Sequence, residues 1–219
     1  MIGDLLKGLN GGQTPQLQLI MTLTLVALLP SLIIMMTSFT RIIIVLSFTR
    51  NALGVQQVPP NMVLVGISLF LTLYIMNPVI SQIETEAYVP YQKAEITEEE
   101  ALKRMETPIK KFMLKNTEKK TMASFVDMSK TKLEKDPMAY PLSVVTPAFM
   151  CSELKRAFTA GFLLFLPFLL IDIVVATTLM SMGMVMLPPT MISLPFKILL
   201  FVTVDGWDLL FSGLVKSFR

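Results

Sequence analysis

Charge is confined to the middle of this 219-residue chain, and that confinement limits its fold more than any single motif does. Between Ile83 and Phe158 lie 13 of the 19 lysines and arginines and 12 of the 16 aspartates and glutamates. The blocks on either side are almost uncharged, and each is long enough for a helical hairpin. Hydrophobic residues make up 53% of the chain and charged ones 16%, against about 45–50% and about 25% in soluble domains. With a mean hydropathy of +0.64, the apolar excess comes at the expense of solvated surface. The chain belongs in a membrane or buried in a large assembly.

Several chemistries are excluded by what is missing. No histidine is present, which removes the usual general base, the commonest metal ligand and the physiological proton switch. The single cysteine, Cys151, cannot form an internal disulfide or a cysteine-rich zinc site. No glycine-rich phosphate loop or dinucleotide turn occurs, and a net charge of +3 is too small for nucleic-acid binding. No cofactor, no metal and no enzymatic activity are expected. Residues 1–16 contain no long apolar stretch, so the first hydrophobic run is read as retained and not as a cleaved signal.

Hydropathy divides the chain into a polar lead (1–16), a first hydrophobic hairpin (17–83), a polar helical segment (84–147) and a second hydrophobic hairpin (148–219). The first run begins at Leu17, passes Pro30 and is interrupted from Thr37 to Arg41 before continuing to Arg50. After a turn containing Pro59, Pro60 and Asn61, a run from Met62 to Met76 ends at Asn77 and Pro78. A span needs about 20 apolar residues, which the first run meets and the second meets only marginally. Phe158–Met182 and Met191–Leu214 complete a count of four helices. The fold expected is all-α.

The central segment also reads as helical. Thr97 followed by Glu100 is a capping-box start, and Leu102, Met105, Ile109, Phe112 and Met113 recur as one apolar stripe. Pro108 is expected to kink or divide that helix. A second stripe joins Met122, Phe125, Val126 and Leu133. Tyr140-Pro141 and Thr146-Pro147 are expected to mark loops before a helix opening near Ala148. Positive-charge counting would place the segment inside the cell, but the rule weakens for loops longer than about 60 residues.

Charges inside apolar runs are costly, about 2.5–3.5 kcal/mol for an aspartate at a helix centre. Asp172, Lys197 and Asp205 sit in such runs, and Arg41 divides the first. They either form an ion or proton pathway or pair with each other and with neighbouring subunits; balanced signs and the missing histidine relay favour pairing. Asp172 and Asp205 also raise an intramembrane aspartyl protease, whose glycine–aspartate sequence context is absent. Methionines at 180, 182, 184 and 186 alternate with other residues. Positions two apart on a helix lie about 200° apart, so these four do not form a single helical stripe. As soft, adaptable side chains they suit a pore that closes on itself and moulds to a passing peptide. A proline in every hydrophobic run favours broken helices packed on neighbours.

Four motifs in order resemble the FliP family of flagellar and virulence-system export-gate proteins. They are FTRIIIVLSF at 39–48 followed by Pro59-Pro60-Asn61; TPAFMCSELKRAF at 146–158; MSMGMVMLPP at 180–189; and LPFK at 194–197 with VDGW at 204–207. The resemblance runs from about Leu17 to the end of the chain. It implies a core subunit of the flagellar type III export gate in the bacterial cytoplasmic membrane, within the flagellar basal body. Such a subunit assembles, about five copies together, with FliQ-like and FliR-like partners and other export components into a helical ring. The ring is a conduit for unfolded substrates, with the hairpins packed on one another largely above the bilayer and the central segment extracytoplasmic.

By the same resemblance Met184 and Met186, flanked by Met182, belong to a loop that seals the pore, with Val185 where many members carry a third methionine. Glu153 and Lys197 match positions of a salt-bridge pair within or between subunits. Arg41, Asp172 and Asp205 are read as further charge pairs or subunit contacts. The rival reading is a four-span small-solute or ion-coupled transporter with Asp172 and Asp205 as coupling sites.

Overall fold

The computed structural model describes residues 15–55, 57–130, 136–184 and 186–218. Most of the polar lead 1–16 lies outside these residues, as do Leu133 and Val185. Among the described residues there is no strand, and the fold is all-α as expected. The elements in order are α1 (Pro15–Met36), α2 (Phe39–Leu53), α3 (Asn61–Ile83), a π turn (Glu84–Tyr88), α4 (Val89–Gln92), α5 (Glu98–Asn116), α6 (Lys119–Met128), a 3-10 turn (Pro137–Ala139), α7 (Leu142–Ser181), α8 (Pro189–Thr203) and α9 (Gly206–Lys216).

Two compact units interleave in sequence: Met1–Thr37 with Met76–Ser152, and Ser38–Ile75 with Glu153–Arg219. One boundary falls between α1 and α2, and the other two fall inside α3 and α7.

In the first unit α1 is apolar on every side, with Leu19, Ile20, Leu23 and Val26 all exposed. A helix of this kind is stable only in lipid or under partners. α5 opens as the sequence indicates, with the Thr97 hydroxyl accepting the Glu100 N–H at 3.4 Å and three glutamates in the first turn facing the positive end of the helix dipole. Its buried face includes Ala101, Phe112 and Met113. The Phe112 ring lies 6.0 Å from that of Phe149 at the start of α7. Pro108 neither divides nor ends α5. It lies on the buried face, and packing of that face offsets a backbone penalty of about 3 kcal/mol. The Glu118 N–H donates to the Ser152 hydroxyl at 3.1 Å, tying the start of α6 to α7. Val126 is the buried member of the second stripe.

Two boundaries differ from the expectation. α7 opens at Leu142, ahead of Thr146-Pro147. The bond that Pro147 cannot make would have gone to the carbonyl of Ser143, an exposed residue of the first turn, a position at which solvent can satisfy the acceptor. α3 continues through Asn77 and Pro78, and with the π turn and α4 gives a helical stretch of 32 residues, Asn61–Gln92. That stretch and Leu142–Ser181 are long and apolar enough to cross a membrane. The other two hydrophobic runs qualify only as broken pairs, Pro30–Met36 with Phe39–Leu53 and Pro189–Thr203 with Gly206–Lys216, so the count of spans is two, or up to four.

The second unit holds the core that positions the charged residues. On α2, Ile42, Val45, Leu46 and Thr49 recur at helical spacing and are fully or nearly fully buried. Ile42, Val45 and Leu46 join Leu64, Ala157, Leu210 and Leu214 in one cluster, and Ala52, Leu53, Phe168 and Phe201 form a second. α2 ends at Gly54, whose φ of 80° places it in the left-handed region, where glycine pays no β-carbon penalty. Gly161 gives Phe48 its place: a β-carbon there would stand 2.5 Å from the Phe48 ring. Phe48 also meets Phe158 edge-on at 5.3 Å.

Candidate functional site

All five charged residues singled out in the sequence lie in the second unit, and the fold sorts them into two pairs and one solitary group. Arg41, in the first turn of α2, is 3% exposed, and Glu153 on α7 is fully buried. The Arg41 Nε donates to Glu153 Oε2 at 2.8 Å and Nη2 donates to Oε1. This is the two-pronged geometry that makes arginine–carboxylate contacts strong. The remaining nitrogen, Nη1, donates to the Ser217 hydroxyl at 2.9 Å and to the Ser217 carbonyl at 3.2 Å. The face of the guanidinium lies 3.7 Å from the centre of the Phe218 ring, a cation–π distance. Every part of the cation is therefore engaged. That is the condition under which a buried ion pair repays the loss of water.

The second pair sits five residues past Pro167, which α7 carries without a break. Lys197 on α8 is nearly fully buried and its Nζ donates to Asp172 Oδ2 at 2.6 Å. The other carboxylate oxygen accepts the Ser193 hydroxyl at 2.6 Å. Ser193 and Lys197 are four residues apart, so both project from one face of α8 onto the same carboxylate.

The pairing implied by the resemblance, Glu153 with Lys197, is not the one formed within this chain: each takes a different partner. Asp205 joins neither pair. It is exposed, makes no side-chain cap, and occupies the left-handed region with a φ of 50° at the break where α8 and α9 diverge by 62°. Gly206 follows because Phe201 packs against its backbone; a β-carbon would lie 2.4 Å from that ring. Among the described residues no group of three or more acidic or cysteine side chains could hold a metal ion.

The methionine run owes its irregular period to a helix end. Gly183, with a φ of 77°, ends α7 in a Schellman arrangement: its N–H bonds the Met180 carbonyl at 3.0 Å, and the Met184 N–H bonds the Leu179 carbonyl at 3.0 Å. The methionines therefore straddle a helix terminus and the turn beyond it. Met182 and Met184 are exposed and Met186 is 99% exposed, an apolar display that a solitary soluble chain would not favour.

Sequence reasoning missed Ser193, Ser217 and Phe218. Ser193 was detectable from its four-residue spacing to Lys197. Ser217 and Phe218 carry no local signal, being 176 and more residues from Arg41.

A family model, FliP family, matches residues 22–214. The chain is 50% identical over 216 residues to the flagellar biosynthetic protein FliP of Aquifex aeolicus (strain VF5), covering 98% of this chain and 90% of that protein. It is 52% identical over 201 residues to that of Bacillus subtilis (strain 168), covering 92% of this chain and 91% of the relative. To that of Pectobacterium carotovorum subsp. carotovorum it is 50% identical over 211 residues, covering 95% and 82%. With the match extending from α1 to α9 and all four motifs inside it, the chain belongs to the FliP family.

Proposed function

We propose that this chain is a core subunit of the flagellar type III protein-export gate, forming with its copies the conduit through which unfolded substrates leave the cytoplasm. The observation that carries the reading is the family match over residues 22–214, with relatives bearing the name flagellar biosynthetic protein at about half identity. In this reading about five copies assemble into a helical ring with FliQ-like and FliR-like proteins in the bacterial inner membrane. The segment 84–147 faces the extracytoplasmic side. The role is mechanical and not enzymatic, with energy supplied by partner components and the proton motive force.

Met184 and Met186, flanked by Met182, seal the pore at rest. Their exposure on a turn set by Gly183 supports this assignment, because flexible thioether side chains pack against changing partners at low cost. Arg41–Glu153 and Asp172–Lys197 hold the helices that present the turn. Asp205 marks the bend in the last hydrophobic run and is free to contact a neighbouring subunit.

The transporter alternative needs Asp172 and Asp205 as coupling carboxylates. Asp172 is held by Lys197 and Ser193, and Asp205 stands exposed at a backbone break, so the two do not share one site's surroundings. The test is to replace Met184 and Met186 together with alanine. Cells should become leaky to small ions while the complex still assembles; an unchanged leak with normal assembly removes the gasket role. Native mass spectrometry checks the ring. A monomer or simple dimer under all mild conditions, alone and with the partner proteins, would return the transporter to consideration.

A further inference from the structure

The second unit contains a groove of about 890 Å³ that meets the first charge pair only at Arg41 and does not include the methionine turn, within the roughly 300–1,000 Å³ of small-ligand sites. On α7 its wall runs through Arg156, Ala160, Leu164 and Phe168, each one turn on from the last. At 1.5 Å per residue the groove follows that helix face for roughly 18 Å. The polar groups are gathered at one end. Arg41, the first groove residue of α2, bonds Ser217 just past α9. Arg156 stands three residues beyond the Glu153 that grips Arg41, hence on the same face. The far end is closed by Phe168 and Phe201, with ring centroids 6.3 Å apart. Between the ends the lining is apolar apart from Thr49, whose hydroxyl is spent on the Val45 carbonyl at 2.9 Å.

Charge at the polar end does not balance. Arg41 is neutralised by Glu153. Arg156 is half-buried, forms no salt bridge among the described residues, and shares the Glu153 carboxylate with Arg41 at longer range, so two cations face one anion. The groove is thus amphipathic along its length, with one uncompensated cation at the head and an acyl-length apolar channel behind it. We propose that it holds an anionic phospholipid, with an acyl chain lying along the α7 face and the phosphate at Arg156. Basic pockets between membrane helices select anionic head groups in this way, through the local charge. The site does not depend on the export-gate reading and concerns the chain while these helices are in contact with lipid.

The sole tryptophan makes the test direct. Trp207 packs edge-on at 5.1 Å against Phe201, a groove residue, so a brominated acyl chain in the groove quenches its fluorescence. The full chain, as it assembles, is titrated in micelles with brominated phosphatidylglycerol or brominated phosphatidylcholine. Half-maximal quenching should come at about fivefold less of the anionic lipid, the factor that one arginine charge contributes against an anionic head group. Arg156→Gln should merge the two curves. Gly213→Leu should weaken quenching by both lipids at unchanged helical content, since Gly213 lines the groove and a β-carbon there meets open space. Identical curves for the wild-type chain, or a preference that survives Arg156→Gln, would overturn the proposal. So would quenching by neither lipid, which would give the groove to a second copy of the chain.

Discussion

Arg41 and Glu153 stand 112 residues apart in the chain and meet in a buried two-pronged contact, while Phe218 covers the face of the same guanidinium. One side chain on α2 thereby fixes a point on α7 and the residues just past α9. Removing one member of such a pair leaves the other charge buried and uncompensated, at a cost of about 3–5 kcal/mol. Glu153→Gln and Arg41→Met should each lower the thermal midpoint of the detergent-solubilised chain. Arg41→Lys should rescue little, because an ammonium cannot reproduce the fork or cover Phe218. The double change Arg41→Met with Glu153→Met should be milder than either single one, since no orphaned charge remains. A double variant as unstable as the sum of the singles would show that the pair does more than neutralise.

Gly161 and Phe48 make a second test of packing on the same two helices. Gly161→Ala places a methyl 2.5 Å from the ring carbon and 2.9 Å from the β-carbon of Phe48. Those atoms lie close to the α2 backbone and cannot swing away. Overpacking of this kind costs about 1–3 kcal/mol. In the Phe48→Ala background, where the Cγ and the ring are gone, the alanine at 161 should cost less, and a double-mutant cycle in thermal unfolding reads the coupling directly. Equal costs in both backgrounds would mean that α7 shifts as a body to accept the methyl.

The sequence disclosed the elements more readily than the pairings. Thr97 and Glu100 marked the α5 start because capping is a local interaction. The α5 stripe was legible because periodicity is. The division allowed for at Pro108 and the loop expected at Pro147 failed for a shared reason. A proline rule weighs the bond lost within the helix, whereas here burial of the α5 face and the exposure of Ser143 decide the outcome. The charge partners were illegible for a different reason. Arg41 and Lys197 can each neutralise Glu153 or Asp172 by sign alone, and only the packing of α2 and α8 against α7 decides which. The methionine run lay between these cases. Its broken period was visible, and its cause, Gly183 in the left-handed region, needed the backbone.

Asp205 is the one singled-out charge whose backbone, and not its carboxylate, does the structural work. It sits at a φ of 50° with no ion pair among the described residues. Asp205→Asn should leave the thermal midpoint nearly unchanged, since asparagine tolerates this region. Asp205→Gly should be neutral or slightly stabilising. Asp205→Val should cost about 1–2 kcal/mol, the left-handed penalty of a residue with a β-carbon, made worse by β-branching. A large effect of Asp205→Asn on assembly, with the isolated chain unaffected, would identify the carboxylate as a contact to a neighbouring subunit.

Asp172 and Lys197 separate a structural pair from a coupling site. Asp172→Asn keeps an acceptor for Ser193 but leaves the buried Lys197 ammonium without its counter-charge. It should therefore destabilise the α7–α8 pairing by a few kcal/mol, of the order found when one partner of a buried pair is removed. A structural role for Asp172 thus depends on its charge and not only on its shape. Replacing both residues, Asp172→Leu with Lys197→Met, removes the charges together and fills the same volume with apolar atoms. Motility and complex assembly should recover substantially in that double variant if the pair only holds helices together. A carboxylate that carries a proton or ion through its cycle has no apolar substitute. A double variant that assembles normally yet exports nothing would therefore move Asp172 from scaffold to mechanism.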